Sequence, residues 1–381
     1  MSSSVNARLR RLWLNLHLWL GIGLAVLLVP ISLSGSLLVW SDNVDALVNP
    51  ARYAVTAGPS QPPSALLASA AAALGQGFQP IAVRMPEDAG WPATVTAREE
   101  RRGERAGGRP RLLTVYLDPA TGRVLDKAEF RNSLVGFLHR FHENLTIPQY
   151  SGRSVVGWAG VGMLLLSLSG IYLWWPRSAG FLRGLRWRRG PAVSFNLHHL
   201  FGFWIAIPLA VVSATGIYLG FPQQGRMLLS SVAPLTPPER SAFNAPLLAV
   251  PRIDADRAME IAQTGVAGTR VAAIFLPTQQ SHAWRVQLRS GGSEVLTSVL
   301  VDDRSGALSP MVPQSGDTIA QWIRWIHEGS HFGVLWKLLV FLCGILPTVF
   351  VVTGTMIWLR QRKGRLPRPQ RVAVSQPGPA E

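Results

Sequence analysis

The stretch FNLHHLFG, residues 195–202, places two histidines at the beginning of a long apolar segment. LNLHLWLG, residues 14–21, does the same near the N-terminus, and His17 and His198 lie 181 positions apart (198 − 17). Ionisable side chains are costly near a membrane span and usually have a function there. The two stretches therefore indicate a functional pair of histidines at the start of two hydrophobic helices.

The composition indicates a membrane protein with sizeable polar parts. The chain has 381 residues, of which 48% are hydrophobic and 15% charged, and its mean hydropathy is +0.20. Four apolar segments, at about 12–40, 155–175, 197–221 and 334–359, reach the roughly 20 residues that span a bilayer. The first is too long for a signal-peptide core and lacks a cleavage site, so we expect an uncleaved helix. The single cysteine, Cys343, excludes a disulfide within the chain.

Basic residues set the expected orientation. They precede the first span, fill the link between the second and third spans, and follow the fourth span. Those of the link and the tail are Arg177, Arg183, Arg186, Arg188, Arg189, Arg360, Arg362, Lys363 and Arg365. The positive-inside rule then places both termini and the link in the cytoplasm. The net charge of +16 is thus mainly a topology signal, and nucleic acid is not an expected partner.

The two halves of the chain match each other. Ser34-Gly35 corresponds to Thr215-Gly216 at the same offset of 181 as the two histidine stretches. In the loops, LTVYLDPATGRVL (113–125) corresponds to TSVLVDDRSGALS (297–309), and RFHEN (140–144) corresponds to WIHEG (325–329). LSGIYLW (168–174) and VTGTMIW (352–358) complete the series. We infer an internal tandem duplication in which each half crosses the membrane twice.

The predicted fold is a mainly α membrane protein, a four-helix transmembrane bundle with two small α+β lobes outside the membrane. The predicted order is a first span at 12–40, a first lobe at 41–132, an outer histidine segment with the second span at 133–175, a basic link at 176–196, a third span at 197–221, a second lobe at 222–318, an outer histidine segment with the fourth span at 319–359, and a tail at 360–381.

Seven of the eight histidines lie near the ends of the spans, in two layers. The cytoplasmic layer contains His17, His198 and His199, and the outer layer contains His139, His142, His327 and His331. One neutral imidazole from each of two helices in each layer is the ligand set of a bis-histidine haem. The layers therefore predict two haem b groups, against the alternative of interfacial histidines with a structural role.

Within each layer the repeat selects His17 with His198 and His142 with His327, with His199, His139 and His331 as alternates. Glu143 and Glu328 are predicted to orient a ligand imidazole. Arg140 and Arg324 suit haem propionates or another anionic ligand, with interfacial anchoring as the alternative. The glycines Gly21, Gly35, Gly170, Gly202, Gly216 and Gly354 leave room for close helix packing or for a porphyrin face. Haem iron, held by the same histidines, is the metal expected.

These motifs resemble the PepSY-associated transmembrane helix family over nearly the whole chain. The resemblance rests on LHLWLG, NLHHLFG, LHRFHENL and WIHEGSHFG, and on the hairpins LDPATGRVL and VDDRSGALS. Within that family the chain looks most like the bacterial inner-membrane siderophore reductases of the ferrioxamine (FoxB) type. The resemblance implies two haem b groups on His17, His142, His198 and His327, PepSY-like lobes in the periplasm, and one-electron reduction of a ferric siderophore.

The partners follow from that chemistry. A ferric siderophore, hydroxamates such as ferrioxamine included, would be the acceptor, and membrane lipid surrounds the spans. No dinucleotide fingerprint follows a predicted strand, so the electrons must come from another molecule, a quinol or a cytoplasmic reductase. Reduction alone requires no general acid or nucleophile, and no catalytic side chain is predicted. The alternatives are a transporter for the siderophore or its iron, and a PepSY-type regulatory or binding protein.

Overall fold

The computed structural model describes residues 2–100, 110–175, 185–186, 190–236, 245–291 and 296–364. Most of the predicted basic link, and the tail from residue 365, therefore lie outside the described residues. Four of the described helices are long and apolar enough to cross a membrane. They are α1 (Ser2–Val39), α5 (Gly152–Trp174), α6 (Val193–Gly220) and α10 (Gly333–Gly364). α1 begins ten residues before the predicted span because residues 2–11 contain no proline or glycine to prevent the helix.

The four long helices form a bundle. α1 packs against α5 and α10, and α6 packs against the same two helices, so that α1 and α6 stand diagonally opposite each other. The middle of the bundle contains a cluster of buried apolar side chains, among them Leu28, Met163, Leu209 and Cys343. The diagonal arrangement lets the matching residues of α1 and α6 face each other across the interior.

Six shorter helices among the described residues lie at one end of the bundle. They are α2 (Ser41–Val48), α3 (Pro63–Ala73), α4 (Leu134–Asn144), α7 (Pro222–Ser230), α8 (Ala255–Gly265) and α9 (Ser315–Glu328). Ser133 caps the N-terminus of α4, and its hydroxyl accepts a hydrogen bond from the Gly136 N–H. α4 and α9 both end at a left-handed residue, Leu145 and Gly329, which turns the chain towards the next span.

Eight antiparallel strands form one continuous sheet in the order β4-β3-β2-β1-β5-β6-β7-β8. They are β1 (Phe78–Arg84), β2 (Ala93–Glu99), β3 (Leu112–Leu117), β4 (Val124–Ala128), β5 (Thr269–Phe275), β6 (Ala283–Ser290), β7 (Leu296–Asp302) and β8 (Leu308–Pro310). The halves join where β1 pairs with β5, Val83 opposite Ile274. The expected pair of separate lobes is therefore corrected to one shared sheet, which makes the fold less purely helical than predicted.

The physical reason for the shared sheet is that each four-stranded half has an open edge at its first strand. Pairing the two edges satisfies their exposed backbone groups. It also merges the two apolar faces into a single core, on which Leu66 and Ala70 of α3 meet Ala258 and Ala262 of α8. Edge pairing leaves no trace in the alternation of residues within a strand, so the sequence of each half could not reveal it.

Candidate functional site

Two pairs of histidines face each other at two depths of the bundle. The pair farther from the sheet, which we call the far pair, consists of His17 on α1 and His198 on α6, and its ring centroids lie 6.4 Å apart. The sheet-side pair, His142 on α4 and His327 on α9, has ring centroids 6.1 Å apart. In both pairs one ring comes from each half of the chain.

The ring separations match those of two imidazoles that share one metal ion. A metal–histidine nitrogen bond of about 2.0 Å on each side places the two nitrogens about 4 Å apart and the ring centroids about 6 Å apart. Direct packing of two rings does not require a similar distance in both layers. The separations therefore fit a metal held between the rings of each pair.

Hydroxyl groups fix the rings of the far pair. The Nδ1 atom of His17 lies 2.8 Å from the Ser169 Oγ, and the Nδ1 atom of His198 lies 3.0 Å from the Thr353 Oγ1. Each hydroxyl already donates its proton to the carbonyl four residues earlier in its own helix, at 2.6 and 2.7 Å. The hydroxyl must then accept from Nδ1–H, which leaves the Nε2 lone pair free to bind a metal.

Backbone carbonyls fix the rings of the sheet-side pair. The Nδ1 atom of His142 donates to the Ile31 carbonyl at 2.8 Å, and the Nδ1 atom of His327 donates to the Val212 carbonyl at 2.9 Å. Because a carbonyl only accepts, Nδ1 carries the proton here as well. Burial lowers the pKa of His142 and lowers the pKa of His327 to about 4, so both rings are neutral at pH 7.

Each of the four rings lies against a Ser/Thr-Gly dipeptide, which we call its seat. A Cβ atom on Gly35 would come within 2.7 Å of the His142 ring, and one on Gly216 within 2.9 Å of the His327 ring. The corresponding distances at the far pair are 3.5 and 3.4 Å. The seats are Ser34-Gly35 for His142, Thr215-Gly216 for His327, Ser169-Gly170 for His17 and Thr353-Gly354 for His198. Four of the glycines assigned to helix packing or a porphyrin face therefore make room for histidine rings.

A cavity of about 1090 Å³ surrounds the far pair and is lined by both rings. Ligand pockets commonly measure about 300–1,000 Å³, so this cavity can hold a large organic cofactor. It follows α1 from Ala7 to Leu28, about 32 Å at 1.5 Å per residue. Gly21 and Gly202 line it, and a Cβ atom on Gly202 would meet nothing within 4 Å. These two glycines keep the wall open.

The family of the chain follows from the extent of its match. The family described as the PepSY-associated TM region matches residues 14–361, which include both histidine pairs and all eight strands. The chain belongs to this family. No curated protein matches the chain significantly.

The alternate histidines of this PepSY-associated protein have other neighbours. His199 stacks on Phe195 with ring centroids 5.6 Å apart, beside the cavity. His331 stacks on Trp325 at 3.9 Å. The half-exposed His139 has its Nδ1 atom 3.8 Å from a Glu143 carboxylate oxygen. The structure thus brings His17 next to His198 and His142 next to His327, the two pairs that the repeat selects.

The predicted acidic partners of the histidines have different contacts. Glu143 pairs with Arg153 at 2.9 Å, and Glu328 pairs with Arg324 at 3.3 Å in an exposed position. Carbonyls and hydroxyls take the orienting role that was expected of these two glutamates. In the described part of the chain, the Nη1 atom of Arg140 is buried without a hydrogen-bond partner, so Arg140 remains a candidate for an anionic group.

Sequence reasoning missed two groups of site residues in this family member. The first is the set of hydroxyls in the seats, although the matching Ser/Thr-Gly dipeptides were visible in the repeat. The second is Arg10, Arg11 and Arg362, which line the cavity but were considered only as topology signals. Among the described residues, no three His, Cys, Asp or Glu side chains cluster as a metal site.

Proposed function

We propose that this PepSY-associated membrane protein is a di-haem b oxidoreductase that passes electrons across the bacterial inner membrane and reduces a ferric siderophore from Fe(III) to Fe(II). The observation that carries the proposal is the pair of facing imidazoles at each of two depths, with ring centroids 6.4 and 6.1 Å apart and with Nδ1 already bonded. Reduction releases the iron because Fe(II) is a softer ion than Fe(III) and binds hard oxygen donors less strongly.

The residues present fit haem better than a bare ion. Each histidine pair would supply two imidazole nitrogens to a haem iron, and the porphyrin would supply its own four nitrogens. The large cavity at the far pair has walls of apolar side chains and glycines. Arg10, Arg11 and Arg362 line the same cavity and suit propionate groups, and the buried Arg140 Nη1 suits one at the sheet-side pair.

The protein's residues hold and separate the two centres. When bound, haem supplies a reversible one-electron couple at each pair. The four seats hold each ring through its Nδ1 atom and leave the Nε2 lone pair free, and Leu28, Met163 and Leu209 give the cavity an apolar wall on the side of the sheet-side pair. Gly35 lies eighteen residues after His17 (35 − 17), so the layers are separated by about 27 Å along α1. This distance covers most of the roughly 30 Å hydrocarbon core.

The orientation and partners belong to the same proposal. Both termini lie in the cytoplasm, the sheet lies in the periplasm, and reduction takes place beside the sheet-side pair. A quinol or a cytoplasmic reductase supplies the electrons at the far pair, and the siderophore, with ferrioxamine as a first candidate, accepts them. The matching order of elements in the two halves supports an origin by tandem duplication.

The test is a reduced-minus-oxidised absorption spectrum with pyridine haemochrome quantitation on the detergent-purified chain. We expect two haem b per chain, which are reoxidised when ferrioxamine is added without oxygen. His17→Ala and His142→Ala should each remove one haem, whereas His282→Ala, a change in the sheet end of the chain, should remove none. A chain purified without haem, and unable to bind it when supplied, would overturn the proposal.

A further inference from the structure

The two faces of the sheet differ in charge. Side chains alternate between faces along a strand, and α3 and α8 cover the face that carries Val83, Val286 and the rest of the apolar core. The opposite face carries Arg84 on β1, and Arg285 and Arg289 on β6. We call it the arginine face.

Arg285 is the centre of this face. Its guanidinium carbon lies 4.0 Å from the centroid of the Phe275 ring on the neighbouring strand, where the two residues are cross-strand partners. Its Nε atom is buried and has no hydrogen-bond partner among the described residues. Burial and the positive charge of Arg84 lower the pKa of Arg285. A half-buried guanidinium with an unused donor and a like charge beside it favours an anion.

The acidic groups nearby compensate that positive charge only in part. Glu87 is engaged by Arg289, with the Arg289 Nη1 atom 2.6 Å from its carboxylate. Burial and the charge of Glu87 raise the pKa of Asp42, so Asp42 ionises less readily than an ordinary aspartate. In the part of the chain that the structure describes, neither Arg84 nor Arg285 has a carboxylate within ion-pair distance.

The arginine face adjoins the sheet-side histidine pair. Asp42 lies within electrostatic reach of both Arg84 and Lys337. The Lys337 ammonium lies 4.4 Å from the Trp40 ring centroid, and Trp40 follows the Gly35 seat by five residues. The Lys337 backbone also packs against Gly329, which follows His327 by two residues. The charged cluster is therefore continuous with the end of the bundle that holds this pair.

We propose that Arg84, Arg285 and Phe275 form a binding site for an anionic ferric chelate, one that holds iron through carboxylate or catecholate oxygens. Guanidinium groups bind such oxygens through two parallel hydrogen bonds, and the Phe275 ring holds the Arg285 guanidinium in place by a cation–π contact. The site rests on the proposed function, and it replaces ferrioxamine, a hydroxamate chelate, with anionic chelates as the first candidate substrates. A neutral hydroxamate chelate gains nothing from two arginines, so anionic chelates are the preferred substrates.

Binding can be tested without electron transfer. Gallium(III) citrate has the charge of the ferric complex but cannot be reduced, and its affinity for the purified full-length chain can be measured by titration calorimetry. Arg84→Gln and Arg285→Gln should each weaken binding about tenfold or more, since each removes a charged hydrogen-bond donor. Arg285→Lys keeps the positive charge but loses the planar pair of hydrogen-bond donors, and it should weaken binding less than Arg285→Gln does. Arg304→Gln, an exposed arginine in the β7–β8 turn, is the matched control and should bind as the native chain does.

Each result decides the proposal. Arginine-dependent binding of gallium citrate, with weaker binding of gallium ferrioxamine that ignores the arginine changes, supports the site. Equal affinity for both chelates, or native affinity in the Arg84/Arg285 double variant, overturns it. Competition by phosphatidylglycerol at equal concentration also overturns it, because the site would then hold a lipid headgroup. A chain without haem that binds citrate through the arginines would refute the reductase and leave the site standing. A chain that binds two haems but does not bind gallium citrate would support the reductase and refute the arginine site.

Discussion

The two histidine pairs share a ring spacing but are built differently. The far pair stands in a cavity of about 1090 Å³, and side-chain hydroxyls bind its Nδ1 atoms. The sheet-side pair is wedged against glycines, and backbone carbonyls at 2.8 and 2.9 Å bind its Nδ1 atoms more closely than the seat hydroxyls do at 3.3 and 3.2 Å. A hydroxyl can be removed by one substitution, whereas a carbonyl cannot. The far pair should therefore respond to changes in the hydroxyls, and the sheet-side pair to changes in the glycines.

The largest effect is expected from Gly35→Ala. The new Cβ atom would lie 2.7 Å from the His142 ring, which must then leave its position. Overpacking of this kind costs about 1–3 kcal/mol, and we expect one haem per chain instead of two, with the far haem retained. Gly170→Ala, with 3.5 Å to His17, should be milder. Gly23→Ala, in the same helix as Gly35 but with nothing within 4 Å, is the control. If haem quantitation shows a loss in Gly23→Ala, or a larger loss in Gly170→Ala than in Gly35→Ala, the contrast between the two pairs is wrong.

The second effect concerns Ser169→Ala at the far pair. Loss of the hydroxyl leaves the Nδ1–H of His17 without this acceptor, and changes of this kind weaken metal affinity about 10–100-fold. Ser213→Ala on α6 removes a buried hydroxyl that donates to the Leu209 carbonyl outside the lining of the cavity, and it should be neutral. Haem titration of the haem-depleted chain, with the reduction potential as a second readout, tests this. Retention of the native values in Ser169→Thr would show that the hydroxyl matters and not the residue's size.

Removal of the cofactor sharpens the contrast further. On the proposed function, extraction of haem would take contacts away from the walls of the far cavity, while the sheet-side rings would keep their bonds to Ile31 and Val212. We expect amide hydrogen exchange to rise more in residues 14–21 than in residues 31–35 of the same helix. A larger rise in residues 31–35 would mean that the sheet-side seats depend on the metal.

The smallest effect should come from acid. Burial alone would raise the pKa of Asp118, but hydrogen bonds from Thr56, Thr121 and Ala120 lower it from 3.8 to about 2. A carboxyl group whose pKa is lower in the folded chain than in the unfolded chain stabilises the fold at any pH above the unfolded pKa. This stability is lost as the pH falls from about 4 to about 2. The sheet end should therefore loosen first over that range in urea titrations. Asp118→Asn should flatten the dependence, and an unchanged pH profile in that variant would contradict the assignment.

The sequence predicted the parts of the site that the repeat marks directly. His17 with His198, and His142 with His327, could be paired because one histidine of each pair lies in each half. The orienting groups could not be assigned because they come from other helices, such as Ser169 on α5 for His17. Glu143 and Glu328 were chosen because they are adjacent in sequence, but adjacent positions on a helix point about 100° apart.

The fold, like the candidate site, could be predicted from the sequence only in part. Apolar length gave the four spans, since each must reach across a bilayer. The β1–β5 junction was not predictable because nothing in the sequence around Val83 or Ile274 indicates which strand of the other half will pair with it. The arginine face escaped notice for a related reason, because Arg84 and Arg285 lie in different halves and are neighbours only across that junction.

The junction also limits what half of the molecule can do. Each half presents one histidine to each pair, and its first strand, β1 or β5, would lose its partner without the other half. A half-length chain made alone would hold each cofactor by a single ligand and would expose an edge that invites association. Two copies of one half, related by a twofold axis along the membrane normal, would complete both pairs and the sheet at once. Self-assembly of either half into such a dimer is thus built into the strand edges and histidines it already carries.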